Sequence, residues 1–314
     1  MHQNSTPPAD LPAIWQALLG WFAASGRDLP WRHTRDPYRI MVSEIMLQQT
    51  QVDRVIPKYH SFLAAFPTLE ALAAAPTAEV IRAWAGLGYN RRAVNMQRAA
   101  RVVLADHGGQ FPRDLPALLA LPGIGRYTAG AIACFAFEQD VGFIDTNIRR
   151  VLQRLFAEPT ALPEAQLLAL AESAVPPGQG WAWNQAIMEL GALICTAAAP
   201  ACWRCPLRAG CRAYAAWRAE DEQVFSAEPA APAPRRRVAE RREAPFAGSS
   251  RFYRGRVVEV LRGLPPGASM ALPELGRRIK DDFGDDDLPW LGELVAGLAR
   301  DGLLALEAEA ARLP

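Results

Sequence analysis

The sequence predicts an all-α fold. Apolar residues recur at helical spacing in one segment after another, no alternating strand pattern of any length appears in the first two thirds of the chain, and a Gly-x-Gly turn joins two helical runs near its middle. At 314 residues, half of them hydrophobic, the chain can bury a sizeable core and divides into two or three domains. The net charge of +1 hides a skew, because Lys58 and Lys280 are the only lysines and arginine carries the rest of the positive charge. Arginine suits phosphate contacts; a high-GC genome gives the same bias. The N-terminus has no basic segment followed by an apolar stretch, and no run approaches the roughly eighteen apolar residues of a spanning helix. A cytoplasmic, monomeric protein with no membrane partner is expected.

Residues 1 to 10 are polar and proline-containing, and read as disordered. Leu11, Ile14, Trp15, Leu18, Leu19 and Phe22 mark one amphipathic helix. Arg27 to Arg32 is a turn, and a helix starting after Pro37 carries Ile40 through Val52. Within it, Glu44 lies among Ile40, Met41, Val42, Ile45, Met46 and Leu47. A carboxyl carried into that neighbourhood loses hydration, and the loss raises its pKa towards an acid that works near neutral pH; on the solvated face of the same helix it would do neither. Ala83 to Val94 reads as a helix, a glycine-rich turn and a new helix, with Arg91, Arg92, Arg98 and Arg101 forming either phosphate contacts or a solvated basic face. Helices over Val94 to Leu104 and Leu115 to Leu119 lead into Leu121-Pro-Gly-Ile-Gly-Arg-Tyr127. Gly123 and Gly125 let the backbone turn tightly, so that several N–H groups can converge on one anion, and phosphate is the obvious one. Thr128 to Phe137 carries no charge and reads as a buried helix; the next helix opens at Asp145, placed as an N-cap. Taken alone, such a turn followed by an aspartate cap is common in ordinary helical proteins. Pro163 to Ala174 and Trp183 to Ile194 complete the helical body, separated by Pro176-Pro-Gly.

Cys195-x6-Cys202-x2-Cys205-x5-Cys211 gathers four of the five cysteines into a short loop. Four thiolates at that spacing can close round zinc or an iron-sulfur cluster, and spacing alone does not choose. Cys134, in the apolar helix, reads as a small core residue. From Ala219 to Ser250 the composition turns to Ala, Pro, Glu and Arg with no apolar period, which marks a linker; its run Arg235 to Arg242 is either a loose DNA contact or a solvated tether. Residues 251 to 314 give three short helices, near Gly255 to Leu261, Leu272 to Ile279 and Leu288 to Leu298, and a strand over Leu303 to Glu307. That order suits a small winged-helix-like module. Its nine basic and eleven acidic residues, with Asp281 to Asp287 before the third helix, make it a poor DNA reader.

Several of these segments resemble those of a known family. Leu-Pro-Gly-Ile-Gly-Arg-Tyr-Thr-Ala-Gly-Ala-Ile with Ile-Asp-Thr-Asn downstream resembles the helix-hairpin-helix and Gly/Pro-Asp motif of DNA base-excision glycosylases. Ser43-Glu-Ile-Met-Leu-Gln-Gln-Thr-Gln-Val52 resembles the signature of the MutY-type adenine glycosylases, and the cysteine loop resembles the 4Fe-4S loop of the endonuclease III and MutY families. The resemblance covers residues 11 to about 218. It implies a six-helix lobe over about 28–142 and an iron-sulfur lobe made of about 11–27 with 143–218; the linker at 219–250 and the small module at 251–314 lie beyond it. It implies removal of adenine mispaired with 8-oxoguanine or guanine in double-stranded DNA, in a bacterial, nucleoid-associated enzyme. In that reading Glu44 protonates the departing adenine, Asp145 stays ionised and stabilises or traps the sugar cation, and Tyr127 and Asn147 support that intermediate. Gln48, Gln49, Leu87, Tyr89, Gly123, Gly125 and Arg126 fall at the DNA interface, with Gln49 inserted into the base stack and Tyr89 wedged beside the lesion. Cys195, Cys202, Cys205 and Cys211 hold the cluster.

The chain departs from the family pattern at Thr146, where glycine is usual, and at Asn90 and Arg91, where a second tyrosine and a small residue are usual. Tyr127 occupies the place of the lysine that forms a Schiff base in the strand-nicking branch, which implies a monofunctional enzyme. Two alternatives share the motifs: a thymine or uracil mismatch glycosylase, against which Glu44 in Glu-Ile-Met-Leu-Gln-Gln-Thr speaks, and a non-catalytic iron-sulfur DNA-binding protein. About sixty residues are too few for the Nudix-like C-terminal domain that many family members carry.

Overall fold

The computed structural model describes residues 11–157, 160–226 and 246–314. Residues 1–10 and most of the linker, including Arg235 to Arg242, lie outside the described residues. Among the described residues up to Ser226 there are twelve α-helices, the last of which runs into the segment expected to be linker from Ala219: α1 (Leu11–Ser25), α2 (Pro37–Leu47), α3 (Val52–Ala65), α4 (Leu69–Ala74), α5 (Thr77–Ala83), α6 (Arg91–His107), α7 (Leu115–Ala120), α8 (Arg126–Phe137), α9 (Thr146–Leu152), α10 (Glu164–Ser173), α11 (Gly180–Leu193) and α12 (Arg212–Ser226). It folds as two units, one made of residues up to Ile40 with 113–119 and 125–235, the other of 41–112, 120–124 and 236–314.

In the first unit α11 is the axis. It buries Trp183, Ala186, Ile187 and Leu190, and α1, α8 and α9 pack on it. Trp15 of α1 donates its indole N–H to the Ala174 carbonyl at 2.8 Å. Two arginines after α1 close on one carboxylate of α11. Arg27 donates its backbone N–H and Nε to Glu189 Oε1 at 2.9 and 2.8 Å, and Arg32 donates to Oε2 at 2.9 Å. The Glu189 side chain is 1% exposed. Burial works to raise its pKa, but the hydrogen bonds from Arg27 and Arg32 outweigh that and hold the carboxyl at about 2.

In the second unit α4 and α6 pack side by side, and α6 buries Ala93, Val94, Met96, Ala99, Ala100 and Val103. Gln97 is the buried polar exception, and it is fully used: its Nε2 donates to the carbonyls of Leu72 and Ala75, and its Oε1 accepts from the Thr77 hydroxyl.

The helix expected to run on to Val52 stops at Leu47. Gln49 takes the left-handed backbone conformation at φ 56°, Thr50 N–H closes a turn on the Leu47 carbonyl at 3.2 Å, and α3 restarts at Val52. The apolar period masked the break because Val52 opens the next helix.

The C-terminal module belongs to the second unit and holds more than four elements: α13 (Ser250–Arg262), β1 (Met270–Ala271), α14 (Leu272–Ile279), α15 (Leu288–Arg300), β2 (Ala305–Glu307) and β3 (Ala310–Arg312). β3 is the middle strand of a three-stranded antiparallel sheet, pairing Ala311 with Met270 on one side and with Leu306 on the other. Ser249 caps α13, its hydroxyl accepting from the Phe252 N–H at 3.2 Å. Val257, Leu261, Leu275, Leu291, Val295 and Leu298 form the module's core, and Ile81 of α5 and Val94 of α6 belong to the same core. The module is therefore built onto α5 and α6.

Candidate active site

Asp145 stands at the N-cap of α9. Its Oδ1 accepts from the Ile148 N–H at 2.6 Å and its Oδ2 from the Asn147 amide at 3.0 Å. Burial raises its pKa above the ordinary value; the bonds from Ile148 and Asn147 and the charge of Arg150 oppose the rise without cancelling it. The helix-end arrangement thus gives a carboxyl that is fixed in place but poorly solvated, and its acidity is weaker than the helix dipole alone would make it. Phe143, two residues earlier, meets the Tyr127 ring edge-on at 5.5 Å between centroids. A Cβ on Gly130 would fall 2.8 Å from Phe143, so glycine there lets α8 lie close against this segment.

Asn147 passes the connection on. Its Oδ1 accepts from Arg150 at 2.8 Å, and the same guanidinium donates to the carbonyls of Cys195 at 2.6 Å and Gly191 at 2.7 Å. Arg154, within a π-helical turn over Gln153–Ala157, donates to Cys195 Sγ at 3.4 Å and to the Thr196 and Ala197 carbonyls. Two arginines four residues apart therefore bind the Asp145 helix to the start of the cysteine loop. Neither belongs to a motif of the sequence; the one signal is their spacing behind Asp145.

The four loop cysteines are unpaired and line one cavity with Arg154, Arg208, Tyr214 and Trp217. Among the described residues, no three His, Cys, Asp or Glu side chains form a group that could hold one metal ion. The thiols ring a cavity instead of meeting at a point. As free thiols, Cys202, Cys205 and Cys211 are all pushed up, chiefly by burial, Cys205 to about 11. Four thiolates cannot share this space without a positively charged centre among them, so the donor set fits a bound metal centre. Arg204 donates to the Leu193 carbonyl at 2.8 Å, and Trp203 beside it is 77% exposed. Cys134 is fully buried.

In the second unit, Glu44 lies on α2 and is 2% exposed, its neighbours Met41, Val42, Ile45 and Met46 equally buried. Glu44 does not lie on a solvated face. The two turns that follow α2 and α5 share one anchor, Arg92. Its Nη1 donates to the carbonyls of Ile45 at 2.6 Å and Gln48 at 2.7 Å; its Nη2 donates to those of Leu87 at 3.2 Å and Gly88 at 3.4 Å. The guanidinium also lies 5.4 Å from the Trp84 ring and 5.5 Å from the Tyr89 ring. Burial pushes it down to about 10, and its Nε has no hydrogen-bond partner among the described residues. One side chain thus caps the C-terminal end of α2 and holds a turn in which Gly86, Gly88 and Tyr89 all have positive φ. Tyr89 is 53% exposed.

The four arginines read as phosphate contacts or as a solvated face divide: Arg91 and Arg101 are exposed, and Arg92 is the one most occupied by the protein itself. Arg92 is buried in backbone contacts, Arg101 donates to the Ala73 carbonyl at 2.9 Å, Arg98 reaches the Asp301 carbonyl, and Arg91 pairs with the Asp301 carboxylate at 3.5 Å.

At the hairpin, Gly123 has φ 78°, and a Cβ there would meet Asn95 Cβ at 2.7 Å. Gly125 differs. Its φ is −92°, it caps α8 without a side chain, and a Cβ there would meet nothing within 4 Å. Arg126 and Tyr127 form the first turn of α8.

Residues 42–177 match the model of the HhH-GPD superfamily of base excision DNA repair proteins. The adenine DNA glycosylase of Mycolicibacterium smegmatis is 42% identical over 248 residues, a match covering 78% of this chain and 79% of that protein. The human adenine DNA glycosylase is 44% identical over 231 residues, which is 69% of this chain but only 42% of the human protein. A solved thermostable thymine-DNA glycosylase superposes with a TM-score of 0.62 at 34% identity, covering 66% of this chain and 97% of that one.

Proposed function

Because the chain belongs to the HhH-GPD superfamily of base excision DNA repair proteins, we propose that it is a monofunctional adenine DNA glycosylase acting on adenine opposite 8-oxoguanine or guanine in double-stranded DNA. The observation that carries this reading is Glu44, a carboxyl held at 2% exposure among apolar neighbours on α2. A carboxyl removed from water is the kind of group that can hold a proton near neutral pH and give it to a departing base.

The cleavage asks for two things: a proton on the leaving adenine and a partner for the positive charge that grows on the sugar. Glu44 supplies the first. Asp145 supplies the second, because a fixed carboxylate that burial has deprived of water gains most when a cation forms beside it. Asn147 keeps that carboxylate in one orientation through its bond to Oδ2. The adenine leaves the base stack before it can be reached; Tyr89 on its strained turn, Gln48 and Gln49 after α2, and Leu87 beside Tyr89 are the groups that act on the duplex. The hairpin binds backbone phosphate at the uncrowded Gly125 end of α8, next to Arg126.

No amine serves as a nucleophile in this reading. Tyr127 stands in the hairpin motif, Lys280 is paired with Asp287 at 2.8 Å, and Lys58 lies on α3. The four cysteines would hold a 4Fe-4S cluster, whose part would be to tie residues 195–211 into one loop; Arg150 and Arg154 fasten that loop to the Asp145 helix. Iron and acid-labile sulfide measured on the purified protein test the cluster, with loss of both in Cys205→Ser expected and stoichiometric zinc the contrary result.

The similarity to the thymine-DNA glycosylase supports a second reading, removal of thymine or uracil opposite guanine. A single-turnover assay on duplexes carrying A:8-oxoG, A:G, T:G and U:G, each read with and without alkali, separates the two. Alkali-dependent cleavage of the adenine strand is expected; cleavage confined to T:G or U:G would give the second reading, and tight binding without cleavage would make the protein a binder.

A further inference from the structure

We propose that the C-terminal module is a brace for the Tyr89 turn and that Arg262, at the end of α13, is its positioning residue. The inference rests on the reading above for what Tyr89 does to DNA, but the brace itself is a matter of contacts inside one unit. Arg262 is 10% exposed along its side chain. Its Nε donates to the Ile81 carbonyl near the end of α5 at 3.1 Å, and its Nη2 donates to Asn90 Oδ1 at the start of α6 at 3.0 Å. One guanidinium therefore spans both ends of the segment that carries Tyr89.

Asn90 makes the arrangement specific. It occupies the N-cap position of α6, where an asparagine ordinarily turns its oxygen to a helix N–H; here it makes no such bond, and that oxygen is taken by Arg262. This is also a position where the chain departs from the family, which usually has a tyrosine. The neighbouring departure, Arg91, is engaged by the same module through Asp301, which also pairs with Arg254 at 2.5 Å. Arg82 of α5 returns the contact, donating to the Leu264 carbonyl at 3.0 Å. Ile81 and Val94, on either side of the turn, are buried in the module's core. The turn is thus gripped by Arg92 from α6 and by Arg262 from the module. Three residues with positive φ need such support to keep one shape.

The test uses the full chain, with Arg262→Ala, Asn90→Ala, the double variant, and Glu259→Gln, which removes only the carboxylate paired with Arg262 on its own helix. Hydrogen exchange reads the turn directly at the amides of Leu87, Arg92 and Ala93, which bond to the carbonyls of Trp84, Tyr89 and Asn90. Binding to A:8-oxoG and to fully paired duplex reads the consequence. Faster exchange at those three amides in Arg262→Ala and Asn90→Ala is expected, with α4 unchanged. Preference for the mispair should fall about tenfold in each, the double variant being no worse than either, as for two ends of one contact; Glu259→Gln should match wild type. Should Arg262→Ala not fold, Asn90→Ala breaks the same bond from the other, half-buried end. Unchanged exchange at the three amides overturns the brace whatever the duplexes do, and so does an unchanged mispair preference in a protein whose wild type shows one. A wild type that neither prefers nor cleaves any mispair would sink the glycosylase reading while the exchange result still judged the brace.

Discussion

Replacing Glu189 by glutamine should cost the protein about 3 kcal/mol at neutral pH and little at pH 2. The carboxylate accepts four hydrogen bonds, three from Arg27 and one from Arg32. A glutamine can keep those to Oε1, but its amide sets N–H donors against the two guanidinium nitrogens that meet Oε2, and Arg32, 8% exposed, is left as a buried charge. The magnitude follows from the carboxyl's acidity. A fall from the ordinary glutamate value of 4.5 to about 2, at 1.36 kcal/mol per pH unit, amounts to about 3 kcal/mol. The sign is that of a depressed carboxyl: the stabilisation is present above the unfolded pKa and is lost as pH falls from about 4.5 through about 2. Urea unfolding of wild type and Glu189→Gln, followed at a series of pH values between 7 and 2, reads both quantities; urea avoids the screening that guanidinium salt would add. The two stability curves should converge as the pH falls. A difference below about 1 kcal/mol at pH 7, or one that does not change with pH, would refute the claim that charge at Glu189 ties the residues after α1 to α11.

The two hairpin glycines should separate cleanly. Gly123→Ala should destabilise by about 1–3 kcal/mol, from its positive φ and the clash with Asn95, whereas Gly125→Ala should leave the unfolding midpoint within about 0.5 kcal/mol of wild type and weaken duplex binding in a titration at low salt. Arg92→Met should free both exposed turns and lower stability by about 2–4 kcal/mol, with faster hydrogen exchange at the amides of Thr50 and Leu87; protection equal to wild type there would remove Arg92 from its anchoring role. Asp145→Asn should abolish turnover by at least about a hundredfold while keeping DNA binding. Because burial raises the Asp145 pKa, its ionised form is a cost that appears as pH rises through its unfolded pKa and is complete above the folded one, so at pH 7 the variant should be at least as stable as wild type in thermal melts.

What could be read from the sequence was what is local. The glycine turn at 121–127, the aspartate before α9 and the four cysteines each announce themselves within a few residues, because backbone turning, helix capping and loop closure depend on near neighbours. The arginines could not be read that way. Arg92, Arg150 and Arg262 look like solvated helix charges, and each spends its guanidinium on backbone carbonyls or an amide oxygen elsewhere, Arg262 reaching Asn90 across 172 residues. A side chain's identity states what it can donate but not where the acceptor will be. The break at 48–51 was hidden for a related reason: an apolar period carries no mark of the residue at which a helix stops and another begins in phase. Ile81 and Val94 were legible as apolar, yet nothing in the sequence joined them to helices beyond residue 250.

That last pairing has a consequence for how the polypeptide assembles. During synthesis Ile81 and Val94 leave the ribosome long before the other members of their core, which begin at Val257. Until the C-terminal helices arrive, α5 and α6 present an apolar surface with nothing to close it, and the closure, when it comes, joins segments distant in the chain at a loop-entropy cost that slows it. The first unit, whose described helices all end by Ser226, can settle while the second waits. The second unit is therefore the late-folding, aggregation-exposed half, and the yield of soluble protein should respond to substitutions in α13 and α15 more than to comparable ones in α10.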